Sequence, residues 1–594
     1  MIPLMLCVLL GATPVEVEQQ DYETERLVRA LHLAQRVVDS EPGAKHIGAI
    51  VIVRDDVFAE DEVWPTFFNV FHALSHDDVV RRELLFAPGQ VWDAERAAES
   101  ARNLRDQTIF ALVRIVPVVP LDGASDTVDV FVYTRDLWSL RLETGFQITD
   151  GFLNELKLSL IERNLAGENV QAAIDVAILP FTFSLGESFA DRRLGGSRWA
   201  LSQAFDVIFE RDSGAPEGTT GAVTFGLPLW DLRPRWGVEL GAAWNDSVGR
   251  QSSGGTLLTF DDPGTAEVEA SPRVWDQTLV KVTLAGLRQL GEGRWKWRFT
   301  GGFGGYYTDY QPHADTGLAD LGKHDPTRVA FEDAVLPRSR TELYPYFQAD
   351  TFLAEYVRYV DLAGFGITEE VRTGPWASAF FAAPLEAFGS GDDALVWSAS
   401  AGFIVAPRTP IAGRHDRGLI DFYAGLSARA EQSQIIDQAY RVRLRMASPQ
   451  LGFGRLVLYG DLEIRSHDVD DTLVTLGGDN GLRGYASEAF YGFGADRLRA
   501  SAEWRTPPAI VGSIHFGGVL FYDAGGVGDL TTDDFAMHHA VGVGLRVMVP
   551  QFNRFVFRFD VGFPLDTDEV TVLLNIGTNQ AVPLTALEDQ KLSQ

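Results

Sequence analysis

From Leu137 to the C-terminus the chain alternates apolar and polar residues with a period of two. Arg294–Phe299, RWKWRF, sets Trp295, Trp297 and Phe299 against Arg294, Lys296 and Arg298. Tyr440–Met446, YRVRLRM, sets Val442, Leu444 and Met446 against Arg441, Arg443 and Arg445. Phe555–Phe563, FVFRFDVGF, puts five apolar side chains on one face and Val556, Arg558, Asp560 and Gly562 on the other; Leu456–Ile464 sets leucines against Asp461 and Glu463. This period is the signature of strands with two unlike faces. A soluble sandwich alternates too. A barrel with lipid outside and water inside accounts for more: the apolar faces are rich in aromatics, and the opposite faces carry charges of both signs strand after strand. About twenty β-like stretches can be counted between 138 and 578, some readable as loop excursions or as one long bent strand split in two. The insertions 246–275 and 308–340, rich in Gly, Asp and Pro, read as loops.

Residues 46–136 have another texture. Ile47–Val53 is a short β run. Asp77–Leu85, DDVVRRELL, is an amphipathic helix with acids in its first turn, stopping near Pro88-Gly89. Asp93 is placed to cap a helix over Ala94–Arg105, and Ile109–Val119 and Val128–Thr134 read as strands joined by LDGASD. The order β-α-α-β-β suits a small soluble α+β domain. Ahead of it, Leu27, Leu31, Ala34 and Val38 share one helical face, predicting a helical linker over 21–45. Met1–Ala12, MIPLMLCVLLGA, has the length of a signal-peptide hydrophobic region ending near residue 20, without the basic residues that ordinarily precede one. No later run of 18 apolar residues occurs, which excludes a helical membrane protein and leaves a barrel open.

Composition narrows the function. Acidic residues outnumber basic ones, 82 to 51, for a net charge of −31. That balance argues against nucleic acid, which needs a basic footprint, and against an anionic membrane surface as the main partner. Cys7 is the single cysteine, so the body has neither a disulfide frame nor a thiolate metal site. No nucleophile elbow, zinc-protease, P-loop or dinucleotide motif occurs. The pair His538-His539 reads as solvated at a loop edge. The expectation is no enzyme, no cofactor and no metal.

One stretch stands apart. Gly477–Leu498, GGDNGLRGYASEAFYGFGADRL, holds six glycines and no proline, and it predicts a long loop. A structureless loop of this length is uncommon and usually functional. The next two strands are legible by alternation. Leu498, Ala500, Ala502 and Trp504 oppose Arg499, Ser501, Glu503 and Arg505; if Ile514, Phe516, Leu520 and Tyr522 face lipid, then His515, Phe521 and Asp523 point inward. Glu503 and Asp523 are therefore both predicted in the lumen. A loop folded inward would bring Arg483 to them, and a guanidinium forks onto carboxylates. Gly481 and Gly484 would let its backbone turn and approach the wall.

GGDNGLRGY, SAEWRTP and FYDAGG together resemble the BamA/TamA-like superfamily of outer-membrane barrel-assembly and two-partner-secretion transporters. The resemblance implies a 16-stranded antiparallel barrel, an inward loop at 468–497, and a latch in which Leu482, Arg483, Gly484 and Tyr485 meet Glu503 and the Phe521/Asp523 motif. It implies that 46–136 is a periplasmic POTRA-like domain, that 137–580 is the barrel in the outer membrane, and that Glu162–Asn169, ERNLAGEN, is an early barrel turn. Five strands should follow the loop. The implied partners are unfolded outer-membrane or secreted clients and outer-membrane lipids. Clients would be received by strand addition at Val128–Thr134 or Ile47–Val53, and the barrel would supply the seam or path. The chain departs from the family in having one POTRA-like unit and in ending on a polar tail, 581–594, rather than on a strand with a terminal aromatic. The rival reading is a passive pore or scaffold without client handling, in which the lumen stripe Arg441, Arg443 and Arg445 would favour anions.

Overall fold

The computed structural model describes residues 22–585, apart from 61–63, 65, 122–125, 150–151, 254, 263, 265–269, 409–416, 471, 479, 533–534 and 567–572. The signal-peptide expectation for 1–20 and most of the 581–594 tail lie outside the described residues.

The N-terminal sheet holds β1 (Arg36–Val38), β2 (His46–Asp55), β3 (Phe110–Pro120) and β4 (Thr127–Asp136) in the order β1-β3-β4-β2. β2 runs parallel to β4, and β3 antiparallel to it. Helix α1 (Tyr22–Leu33) covers one face, and α2 (Asp77–Arg81) and α3 (Ala94–Arg105) cover the other. α3 starts where expected. Asp93 accepts from the amides of Glu95 and Arg96 at 2.9 and 3.2 Å, and Ala97, Ala101 and Leu104 fall on the buried stripe. Two expectations change. α1 is not a linker: Leu27 and Leu31 are buried against Leu112, Phe131 and Tyr133, because the second face of the sheet is as apolar as the first. Val128–Thr134 is not an edge, since β4 is hydrogen-bonded on both sides; β2, with Ile47–Val53, is an edge strand whose Ile47 end is already bonded to Gly89 and Gln90, and the short β1 is the other edge.

The remainder is a closed antiparallel barrel. Its ring has 22 strand segments, but Arg340–Leu353 continues as Glu355–Val360 along one neighbour, and Asp496–Arg505 continues as Ala509–Val511 along another. Counting each bent strand once leaves twenty among the described residues, not sixteen. Five follow the long loop, as the resemblance implied, so the surplus lies wholly ahead of it. The opening strand Leu140–Thr149 meets the closing strand Leu573–Thr578 at a seam.

The two faces are inverted relative to a water-soluble protein. Trp297, Phe347, Leu284 and Leu520 are 42%, 47%, 54% and 58% exposed on the outside, while Lys296, Arg546, Glu503 and Asp560 are buried within. That is the distribution lipid outside and a filled interior require. No helix among the described residues is long and apolar enough to cross a membrane. The expected loops 246–275 and 308–340 shrink to 251–273 and 313–339, because Arg235–Arg250, Val274–Leu290 and Trp295–Pro312 run on as strands of 16, 17 and 18 residues. A membrane strand needs about 9–11 residues. Both loops lie at the end away from the N-terminal domain.

Candidate functional site: the interior loop, its ion network and the barrel mouth

The long loop is not structureless. Leu473–Leu476 and Phe490–Phe493 pair as a hairpin, and the segment between them turns into the lumen. Its tip is held by its own backbone: Gly478 N donates to Leu482 O and Tyr485 O at 3.0 and 3.1 Å, and Tyr485 N donates to Leu482 O at 3.0 Å. Leu482 is fully buried, packing with Leu476, Tyr485 and Ala540. The Tyr485 hydroxyl donates to His539 O at 3.1 Å. The approach to the wall needs glycine on both sides. A Cβ on Gly484 would lie 2.6 Å from Ala540 Cβ, and one on Gly562 would lie 2.3 Å from Arg483 O.

This turn delivers Arg483 into the interior with 3% of its side chain exposed. Its Nε and Nη2 fork onto Asp523 at 2.8 Å each, and its own amide reaches Asp523 Oδ2 at 3.2 Å. Nη1 donates to Glu503 Oε1 at 2.7 Å and to Asp560 Oδ2 at 3.3 Å. The guanidinium carbon sits 3.7 Å from the centroid of Phe521, so the ring forms a cation–π floor. Leu482, Arg483, Gly484, Tyr485, Glu503, Phe521 and Asp523 are thus brought together.

The network is wider than the spacing of its motifs suggested. Asp560, 77 residues from Arg483, is its third carboxylate and also accepts from Arg546 at 2.6 Å. Arg505 donates to Glu503 Oε2 at 2.7 Å from Nη2 and 2.9 Å from Nε. Ser501 donates to Asp523 Oδ1 at 2.7 Å, and Asn575 donates to Arg483 O at 2.9 Å. The one sequence signal for Asp560 was its place on the polar face of FVFRFDVGF. Alternation identifies the face, not the partner across the lumen. Each charge here is buried and multiply paired, the condition under which a buried ion pair is tolerated.

The stripe Arg441, Arg443 and Arg445 faces inward but is compensated. Arg441 pairs with Asp461 at 2.8 Å, while Arg443 and Arg445 share Asp421 at 3.8 and 3.1 Å. The histidine pair is not simply solvated. His538 stacks on Phe490 of the loop with centroids 3.6 Å apart and lies 2.6 Å from Asp566, and His539 Nδ1 is 2.8 Å from the Tyr522 hydroxyl. The wall and the loop supply partners that the run DDFAMHH does not reveal.

The opposite mouth is occupied from two directions. After the closing strand the chain turns back inside: Val582 and Leu584 pack with Tyr359, Leu419 and Val457. Arg505 donates to Val582 O at 2.7 Å, Arg445 to Pro583 O at 2.9 Å, and Arg546 to Gln580 Oε1 at 2.9 Å. Three arginines that point into the lumen thus hold the first residues of the tail. Beneath them lies the N-terminal domain. Glu23 of α1 accepts from Thr368 N and Oγ1 at 2.9 and 2.6 Å, Arg102 of α3 reaches Glu370 at 3.5 Å, and Glu99 accepts from Leu232 N at 2.6 Å. Burial at this junction raises the Glu99 carboxyl above its ordinary range against the pull of the Leu232 amide. It raises Asp106 likewise, against Arg554 and Arg192. The early turn Glu162–Asn169 sits here too, where Asn164 donates to Ala73 O and Ser75 Oγ.

Fold and interior together define a transmembrane β-barrel whose lumen holds an inturned loop and a returning tail and whose mouth is met by a docked N-terminal domain. Residues 470–577 match the Omp85 superfamily domain, and the chain is an outer-membrane β-barrel that carries this domain. No curated protein matches the chain. Among solved structures it is similar to CdiB from Escherichia coli at 13% identity and a TM-score of 0.41, over 90% of this chain and 76% of that one. CdiB from Acinetobacter baumannii is 12% identical with a TM-score of 0.38, over 94% and 80%. BamA from Haemophilus ducreyi lacking POTRA domains 1–3 is 11% identical with a TM-score of 0.34, over 90% and 85%.

Proposed function

We propose that this protein receives extended client polypeptides on the periplasmic side of a bacterial outer membrane and inserts them into the membrane or passes them across it. The N-terminal domain, 22–136, is the receiving unit. Edge strand β2 offers the outer side of its backbone beyond Ile47 for strand addition. The observation that carries the reading is the seam. Among the described residues the opening and closing strands join through three residues each, Phe146, Gln147 and Ile148 opposite Ile576, Asn575 and Leu574. Arg235–Arg250 and Val274–Leu290 pair along sixteen. The pairing among the described residues is short, and a ring that opened there would present a free edge on each strand. Arg483 acts as the latch: it fixes the loop to the last strands of the ring and so sets the shape of the lumen beside the seam.

A passive anion pore is less well supported, because the arginines that would select anions are paired with Asp421 and Asp461, and the mouth holds the tail. Photocrosslinkers at Ala49, exposed on β2, and at Leu574 of the closing strand test the reading. Capture of the same polypeptides at both positions in living cells is the expected result. A barrel that captures nothing at either position and conducts as a steady open channel would sink it.

A further inference from the structure

The segment Thr66–Phe71, TFFNVF, forms a 3-10 helix in the N-terminal domain, outside the core of that domain and outside the latch. Its side chains divide into two sets by burial. Phe68, Asn69 and, just beyond, His72 turn inward. Asn69 donates to Phe58 O at 2.9 Å and accepts from Phe58 N at 3.1 Å. The Phe68 ring lies 6.1 Å from that of Phe58 and 6.4 Å from that of Trp138, and Phe58 and Trp138 both pack on Phe552 of a barrel turn. His72 lies between Asp136 Oδ2 at 3.0 Å and Ser139 Oγ at 3.2 Å. Phe67, Val70 and Phe71 turn outward and are 59%, 83% and 67% exposed.

Scattered apolar residues on a surface need no explanation, but three large ones on one face of a rigidly backed segment mark a contact surface. What they meet follows from where the segment is fixed. Trp138 and Ser139, its two anchors on the barrel side, are followed directly by the opening strand. There Leu140 and Leu142 are 42% and 59% exposed on the outer wall, and Leu165 in the adjacent turn is 47% exposed. The apolar face of the 3-10 helix thus sits at the foot of the lipid-facing belt and continues it. No residue from 66 to 71 is charged, although the acidic run Glu60-Asp61-Glu62 lies just ahead of it in the chain.

We propose that Phe67, Val70 and Phe71 form a foot that enters the leaflet nearest the N-terminal domain, seating that domain on the lipid surface at the base of the opening strand. Aromatic and aliphatic side chains at the interface bury apolar area that water would otherwise cover. The position matters because the opening strand is one side of the seam: the domain is held by lipid as well as by protein where the ring is most weakly closed. This inference rests on the barrel lying in a bilayer and does not depend on what is transported.

The test uses the full chain with Cys7→Ser, carrying one further cysteine labelled with an environment-sensitive NBD dye, in phosphatidylcholine/phosphatidylglycerol nanodiscs. Val70→Cys is the reporter, and Phe71→Cys is a second in case the first folds poorly. Leu284→Cys on the outer wall reports on the barrel, and Arg81→Cys, exposed on α2, reports on water. The expected result is blue-shifted emission at 70 and 71, with several-fold stronger quenching by headgroup-proximal nitroxide lipid than at 81. Quenching at 284 with none at 70 or 71 overturns the foot and leaves the barrel intact. No quenching at 284 overturns the membrane reading, and the foot with it. A dye at 70 shielded in proportion to protein concentration, without lipid quenching, means that a second copy covers the face, and that also overturns the proposal.

Discussion

Asn575, on the strand that closes the ring, donates from its side-chain amide to the main-chain oxygen of Arg483, 92 residues earlier, at 2.9 Å. The inturned loop is therefore tied to the wall twice over: by the guanidinium, to three carboxylates on three other strands, and by the backbone, to the seam strand itself. Asp560, on the penultimate strand, lies opposite Asn575 in the ladder and accepts from both Arg483 and Arg546.

Removing Arg483 leaves Glu503, Asp523 and Asp560 buried with too little positive charge. Breaking a buried pair from one side costs about 3–5 kcal/mol, and burial this complete supports that range rather than the smaller value of a wet site. We expect Arg483→Ala to lower the temperature at which the barrel loses its heat-modifiable gel mobility. Lysine should restore only part, since it keeps the charge and loses the fork. A double-mutant cycle between 483 and 523 should show strong coupling; additive effects would mean that the loop is not latched.

Asn575→Leu removes one hydrogen bond and leaves Arg483 O without that donor in a buried site, a loss of about 1–3 kcal/mol. The consequence should be local. Cysteines placed in the loop tip, at Ser487, should react faster with an external thiol reagent, while the melting temperature moves less than in Arg483→Ala. Equal labelling rates in Asn575→Leu and the parent would show that the seam strand does not hold the loop.

Truncation after Thr578 removes the segment held by Arg445, Arg505 and Arg546 and the burial of Val582 and Leu584. Each of those two side chains contributes about 1.5–3 kcal/mol when fully buried. The truncated barrel should insert into planar bilayers with a larger and noisier conductance than the full chain. Unchanged conductance would mean that the tail does not occlude the mouth.

The N-terminal domain should fold as 22–136 and not as 46–136. Without α1, the face formed by Leu112, Val118, Phe131 and Tyr133 is left to water. Thermal unfolding of the two purified fragments decides this: the longer should melt cooperatively, and the shorter should aggregate or melt broadly.

The arginine stripe should give little selectivity until its counter-charges are removed. In the tail-truncated barrel, Asp421→Asn frees Arg443 and Arg445 from their shared partner and should shift the reversal potential towards anions. An equally anion-selective parent would show that the pairing does not neutralise the lumen.

Much of this was legible from the residues alone, and for a definite reason. The alternation in RWKWRF and FVFRFDVGF is a local property of a strand with two unlike faces, so it reports strand and face without any partner, and the aromatic content of the apolar faces adds the barrel. The Asp93 cap and the stripe Ala97, Ala101, Leu104 are local in the same way. Glu503 and Asp523 were placed inward by the same alternation, whereas the return of Arg483 to them was implied by the resemblance of the loop. What the sequence did not determine depends on contacts between distant segments. Strand number follows from how the ring closes and from which bends interrupt a single strand, as at Ala354, and periodicity cannot tell such a bend from a turn. That α1 belongs to the domain depends on the second apolar face of a sheet whose strands are far apart in the chain. Asp560 and Asn575 reach Arg483 only because the barrel closes, and the returning tail finds Arg445, Arg505 and Arg546 only because they line one lumen. An alternating pattern specifies which way each side chain points; what it meets there is decided by the tertiary structure that sets the opposite wall.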